Sequence, residues 1–250
     1  MLRTVTATRY VTPLREGGSL PAIMEADDDG LYVVKFRGAG QGPKALVAEV
    51  VAGEIGRRLG LPVPELVVVE LDGALAAAEP DPEIRELLER SAGPNAGLDF
   101  LPGALPYRPR IDAPPDPELA AGIIWFDALV TNIDRTARNP NLLVWHHRPW
   151  LIDHGAALYV QHTWRAPEEH ARRGFAQAPD HVLLPVAGSV EIADARLAGL
   201  IDRPFLEALL AAVPDDWLSE PRERYLDYLL ARLEAPRPFV AEVERARQAA

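Results

Sequence analysis

The 250-residue sequence predicts an α+β fold in two parts. Three observations carry that expectation. Residues 1–40 hold β-rich runs separated by Gly- and Asp-containing turns, and the C-terminal part reads as a succession of capped helices. Between them lies the Gly/Pro-rich stretch Ser91–Pro106, of the kind that joins two lobes.

Thr4–Pro13 alternates and is rich in Val, Thr and Tyr, which suits a half-buried strand. Leu20–Glu25 and Leu31–Arg37 follow as further strands of an antiparallel sheet. Glu16-Gly17-Gly18-Ser19 and Asp27–Gly30 are the turns between them. Pro43–Leu59 is a helix packing on that sheet, with Leu46, Val50 and Ile55 apolar, Glu49 and Glu54 as its acids, and a stop at Gly60. Leu66–Leu71 is a strand entered through Pro62 and Pro64. Asp81–Arg90 is a short, charged, exposed helix. The linker contains one short strand, Leu98–Leu101, and a second loop runs over Pro109–Pro117.

Asp116 caps a core helix that begins at Pro117 and runs to about Thr131, with Leu119, Ile123, Phe126 and Val130 on its apolar face. Asp127 on this helix is placed to brace the loop that follows. Asn141–Trp145 and Trp150–Ile152 flank His146-His147-Arg148-Pro149 as a β-hairpin. Residues 156–200 carry no clear pattern. Asp202 caps a helix over 203–213, Asp215–Leu218 starts a short one, and Pro221–Leu233 and Phe239–Gln248 complete the helical tail.

Composition narrows the function. A net charge of −11 argues against generic nucleic-acid or anionic-membrane binding, and no apolar run reaches membrane-span length. The absence of cysteine excludes a thiol nucleophile, Cys-ligated zinc and disulfides, and it is compatible with the expected cytoplasmic location. The histidines lack metal-binding spacings. Of 26 basic residues only Lys35 and Lys44 are lysines. A compact ammonium retained in the apolar strand Leu31–Phe36 suits contact with phosphate, as against a solvated strand-end Lys.

The chemistry concentrates in Phe126–Gly155, FDALVTNIDRTARNPNLLVWHHRPWLIDHG. The hairpin brings Asp134, Asn139 and Asp153 toward one mouth. Two carboxylates and an amide oxygen suit a hard divalent cation and polyphosphate. Acids gathered in a cleft are costly without a cation between them.

In order along the chain, strand Lys35, helix Glu49, a Gly/Pro hinge, Asp134-x4-Asn139 and Asp153-His154-Gly155 resemble the protein-kinase-like fold. More closely, NIDRTARNPN, LIDHG, LVAEVVAGEIGRRLGLPVPE and PDDWL are similar to the HipA-like kinases, in a compact form lacking the toxin's N-terminal module. The resemblance spans roughly residues 5–235. It implies a bilobal fold, with an N-lobe over residues 1–101 (antiparallel sheet, one packing helix, hinge) and a C-lobe over 102–250 carrying the catalytic hairpin among helices.

The resemblance also implies an ATP- and Mg²⁺-dependent phosphotransferase acting on a protein Ser/Thr or a small-molecule hydroxyl. In it Asp134 orients or deprotonates the acceptor, Arg135 stabilises phosphate charge, and Asn139 and Asp153 bind Mg²⁺. Lys35 holds the nucleotide phosphates and pairs with Glu49, or failing that Glu54. Gly17, Gly18 and Ser19 cover the phosphates, with Ser19 a candidate for autophosphorylation, and Leu98, Asp99, Phe100 and Leu101 face the adenine. The phosphate loop departs from a full G-x-G-x-x-G, and His154 stands where protein kinases place Phe. A nucleotide-binding pseudokinase serving as a regulatory or interaction module is the alternative.

Overall fold

The computed structural model describes residues 2–14 and 20–250, so the expected phosphate-covering turn with Gly17, Gly18 and Ser19 lies outside the described residues. The chain is α+β. In order it runs β1 (Arg3–Pro13), β2 (Ala22–Ala26), β3 (Leu31–Lys35), α1 (Gly42–Arg58), β4 (Leu66–Leu71), α2 (Pro82–Arg90), β5 (Gly93–Asp99), β6 (Leu105–Pro106), α3 (Pro117–Val130), β7 (Leu142–Trp145), β8 (Arg148–Leu151), α4 (Pro167–Ala171), α5 (Val190–Leu197), α6 (Arg203–Ala211), α7 (Arg222–Leu233) and α8 (Pro238–Gln248). Short 3-10 turns fill several of the connections. No helix is long and apolar enough to cross a membrane.

The first five strands close into a barrel of order β1-β2-β3-β5-β4 with one parallel pair, β1 with β4, where an antiparallel sheet was expected. Closure comes from the long β1. Its C-terminal half pairs antiparallel with β2, while Arg3–Thr6 pairs parallel with Val67–Glu70 of β4, and two irregularities between Ala7 and Thr12 bend the strand. The side-chain period of two then divides each strand between two cores. Tyr32, Val34, Val67 and Val69 fill the barrel. Val33, Leu66, Val68, Ala96 and Leu98 face outward against α1 and the larger helical core. Lys35 shares the outward parity of Val33, so β3 aims it at α1.

A second correction concerns β5. The Gly/Pro-rich segment expected as a linker is a barrel strand bonded on both sides, to β3 and to β4. Its glycine is a packing requirement: a Cβ at Gly97 would lie 2.6 Å from Val69 Cγ2 and 2.8 Å from Val67 Cγ2. A third concerns α2, which is not simply exposed, since Leu87 and Leu88 join the barrel core.

Helix α1 is buried along most of its length, because it lies between the barrel and the helical part rather than on a sheet surface. The hairpin is present, with a tighter turn than expected. His146 and His147 form it alone, at φ 48° and 60°, and Arg148 and Pro149 are strand residues. Two consecutive positive φ values match the twist of a two-residue hairpin. β6 adds a third strand, and Trp145 Nε1 donates to the Pro102 carbonyl (2.9 Å), tying the hairpin to the segment after β5. The Pro214–Leu218 element fastens the other end. Its buried Trp217 donates to the Pro94 carbonyl (3.0 Å), and Asp216 pairs with Arg37 (3.2 Å).

Candidate active site

Lys35 Nζ lies 2.6 Å from Glu49 Oε2 and 2.6 Å from Asp153 Oδ1, so strand, helix and hairpin meet at one ammonium. Glu49 is buried at 2% side-chain exposure, Lys35 is at 15%, and Asp153 remains 48% exposed at the mouth. Burial alone would lower the Lys35 pKa, but the two carboxylates outweigh it and hold the ammonium above its ordinary range. Partial burial pushes the Asp153 carboxyl up, and Lys35 outweighs that to hold it below the usual range. Glu54 pairs with Arg57 instead (3.2 Å), which resolves the choice of Lys35 partner in favour of Glu49. The N-terminus of α1 is clasped to the segment beyond Gly155: Lys44 Nζ donates to the Gln161 carbonyl (2.8 Å) and Gln161 Nε2 to the Lys44 carbonyl (3.0 Å).

The loop after α3 presents Asp134, half-buried, with Asn139 exposed beside it. Asn139 Nδ2 donates to Asp134 Oδ2 at 2.8 Å. A second amide, absent from the sequence expectations, does the same: Asn141 Nδ2 lies 3.3 Å from that oxygen. Asn141 is 8% exposed, sits at φ 47°, and its carbonyl accepts from Ile152 N–H (3.1 Å), the residue before Asp153. It thereby links the Asp134 loop to the Asp153 loop. Asp153 also holds a left-handed backbone (φ 55°), a conformation Asp and Asn tolerate better than other residues with a Cβ. The sequence signal for Asn141 was the N-P-N triplet, which offers two amides where only the first was assigned.

Behind the loop is a buried polar network. Asp127, fully buried, accepts from Arg135 Nε (2.6 Å), Arg135 Nη2 (3.3 Å), Asn132 Nδ2 (2.9 Å) and His181 Nε2 (3.0 Å). Burial pushes its carboxyl up, but Arg135 and His181 overcome this and bring it down to about 2. Its bracing role is therefore much stronger than a helix-surface acid would give. Arg135 is corrected by the same geometry. Its side chain is 0% exposed, and its guanidinium is committed to Asp127, the Asn141 carbonyl and His154 Nδ1 (3.4 Å). It positions the loop from behind and does not point into the mouth to meet phosphate charge.

His154 packs edge-on against Phe126 (centroids 5.6 Å, 82°). Because Arg135 donates to Nδ1, the proton resides on Nε2, which is buried and has no hydrogen-bond partner among the described residues. Burial and the Arg135 charge lower its pKa to about 3.

Of the expected adenine-facing residues, Leu98 is buried between β3 and β4, and Asp99 is exposed at the end of β5. The backbone N–H groups of Asp99 and Phe100 are taken by the Glu65 (2.8 Å) and Leu31 (2.9 Å) carbonyls, and the Leu101 carbonyl by Ala104 (3.1 Å).

The donor chemistry fits Mg²⁺ and a nucleotide. Lys35, Glu49 and Asp153 meet in one contact and Asp134, Asn139 and Asn141 in another, joined through the Ile152–Asn141 backbone bond; their carboxylate and amide oxygens are the hard-oxygen type Mg²⁺ selects. No three His, Cys, Asp or Glu side chains cluster among the described residues, so a cation held here completes its shell from water and phosphate oxygens.

No curated protein matches the chain. Among solved structures, the crystal structure of the Helicobacter pylori proinflammatory kinase CtkA superposes with a TM-score of 0.60 at 16% identity, covering 100% of this chain and 99% of that one. That likeness establishes the kinase-like fold. The model of the HipA-like kinases matches residues 8–235, and the chain belongs to that family.

Proposed function

We propose that the protein is an ATP- and Mg²⁺-dependent phosphotransferase that moves the γ-phosphoryl group to a hydroxyl, on a protein Ser/Thr or a small molecule. The single observation that carries this reading is the Lys35–Glu49–Asp153 contact, with both arms at 2.6 Å. It joins three distant segments into the phosphate-holding arrangement phosphoryl transfer needs. In this reading residues 1–101 form the nucleotide-covering lobe and 102–250 the catalytic lobe, with Leu98–Leu101 as the hinge and Gly17-Gly18-Ser19 over the phosphates.

The residues divide the work. Lys35, fixed by buried Glu49, holds the phosphates. Asp153 and Asn139 would hold Mg²⁺, which when bound neutralises phosphate charge. Asp134 orients the acceptor hydroxyl and takes its proton, its Oδ2 anchored by the two amides so that the carboxylate keeps one direction. Asp127, Arg135 and Asn141 keep that loop in register with the Asp153 loop. A folded core this pre-set leaves the chemistry mainly to positioning and electrostatics.

Thermal unfolding with ATP and Mg²⁺, against ATP with a chelator, tests the nucleotide reading. The melting temperature should rise only with both present. No shift at millimolar Mg-ATP would remove the nucleotide-site assignment.

A further inference from the structure

One donor to Asp127 comes from far along the chain. His181 lies 54 residues beyond it, in the stretch 156–200 that has no readable pattern, and is 4% exposed. Both of its ring nitrogens are committed. Nε2 donates to Asp127 Oδ2 at 3.0 Å, and Nδ1 accepts from Leu183 N–H at 3.1 Å. The ring has no nitrogen left for nucleotide, metal or acceptor, so a role in turnover can act only through its partners.

Those partners stand directly behind Asp134. The Asp127 oxygen that His181 meets also takes Arg135 Nε (2.6 Å), so ring and guanidinium share one acceptor. The main chain repeats the contact. Thr136 and His181 form an antiparallel bridge, and Val182 N–H donates to the Arg135 carbonyl (3.0 Å). Arg135 and Thr136 are the two residues after Asp134, and Thr136 N–H closes the turn by meeting the Asp134 and Asn139 carbonyls, both at 3.0 Å. Residues 181–182 therefore grip the catalytic turn through side chain and backbone at once.

The grip is itself anchored. Ala178, Val182, Leu183 and Leu184 are buried in the helical core. Further on, Gly188 N–H donates to the Pro117 carbonyl (2.8 Å), so the segment 182–188 is bonded to the loop after α3 at one end and to the first residue of α3 at the other. A turn backed in this way keeps its carboxylate in place. One that loses the backing can drift, and a misplacement of about 1 Å can cost about a hundredfold in rate.

We infer that His181 is a positioning residue for Asp134, holding the catalytic turn through the oxygen it shares with Arg135. The inference rests on the proposed phosphotransfer and adds a support from the stretch after Asp153-His154-Gly155.

Two amides separate the contacts of the ring. In His181→Asn the amide oxygen falls near the Nδ1 position and can accept from Leu183 N–H, but the side chain is too short to reach Asp127. In His181→Gln the amide nitrogen falls near the Nε2 position and can donate to Asp127. ADP formation is measured for each, with Mg-ATP binding titrated to count folded sites. His181→Asn should lose about ten- to a hundredfold in kcat with KM for Mg-ATP within about twofold, and His181→Gln should keep kcat within about threefold of wild type. Trimethylamine N-oxide, which refolds a destabilised chain without supplying a donor, should leave the kcat of His181→Asn low. Full recovery of kcat in that osmolyte, a His181→Asn chain that binds no Mg-ATP even there, equal losses in the two variants, a wild-type kcat in His181→Asn, or a KM that rises as kcat falls would each overturn the positioning role and leave the phosphotransfer reading standing. A wild type that binds Mg-ATP but forms no ADP would overturn both.

Discussion

Asp127→Asn removes a charge that Arg135 depends on while nearly preserving shape. The structure shows what the new amide meets. Oδ1 accepts from Asn132 Nδ2 and Arg135 Nη2, and Oδ2 from Arg135 Nε and His181 Nε2. His181 Nδ1 accepts from Leu183 N–H (3.1 Å), so its Nε2 is the protonated nitrogen. An amide has one acceptor oxygen, and its NH2 must oppose at least one donor pair. A buried guanidinium then loses its counter-charge, a change that costs about 3–5 kcal/mol. In a chain of this size that is a fall in melting temperature on the order of ten degrees.

Arg135→Met should be similarly costly, since it leaves Asp127 charged and underpaired. The double variant should be less destabilised than the sum by about 1–3 kcal/mol, because neither charge is then orphaned. Urea denaturation of the four proteins measures this. Singles costing under about 1 kcal/mol, or strict additivity, would refute the network as the support of the catalytic loop.

Other substitutions separate the remaining roles. Asn141→Ala should lower kcat about tenfold or more with the Mg²⁺ requirement unchanged, whereas Asn139→Ala should raise the Mg²⁺ concentration needed for half-maximal turnover; the opposite pattern would exchange the two amides. Lys35→Met leaves Glu49 buried without its cation, so it should both abolish the Mg-ATP shift and lower the melting temperature, and adding Glu49→Gln should restore the temperature but not the shift. His154 is held near pKa 3 when folded, against 6.5 for an ordinary histidine. The unfolded chain therefore binds a proton that the folded one refuses. The stability from neutral His154 is whole above pH 6.5 and declines as pH falls, by up to about 1.4 kcal/mol per unit. His181, lowered chiefly by burial, adds in the same direction. His154→Phe should make the melting temperature fall less steeply between pH 6.5 and about 4; an unchanged slope would mean that His154 does not carry it.

Local pattern made some features legible and non-local contact hid others. A pairing of Lys35 with an acid of the next helix was legible from a lysine in an apolar strand, the choice of Glu49 over Glu54 came from the family resemblance, and α3 followed from Asp116 and Pro117 at its start. Barrel closure depended on Arg3–Thr6 meeting Val67–Glu70, a parallel register that neither segment announces. β5 was obscured by Gly93, Pro94 and Gly97, residues of loop-like composition that serve close packing here. Arg135 looked functional by its place after Asp134, yet burial beside Asp127 sets its role, and burial is a property of the fold.

ADP formation from Mg-ATP by the wild type and by Asp134→Asn, with nucleotide binding titrated on the same preparations, tests phosphotransfer most directly. The wild type should turn over, and Asp134→Asn should bind Mg-ATP within about twofold while losing roughly 10²–10⁴ in turnover. A wild type that binds Mg-ATP but forms no ADP and transfers no phosphate, or an Asp134→Asn enzyme as active as the wild type, would contradict it.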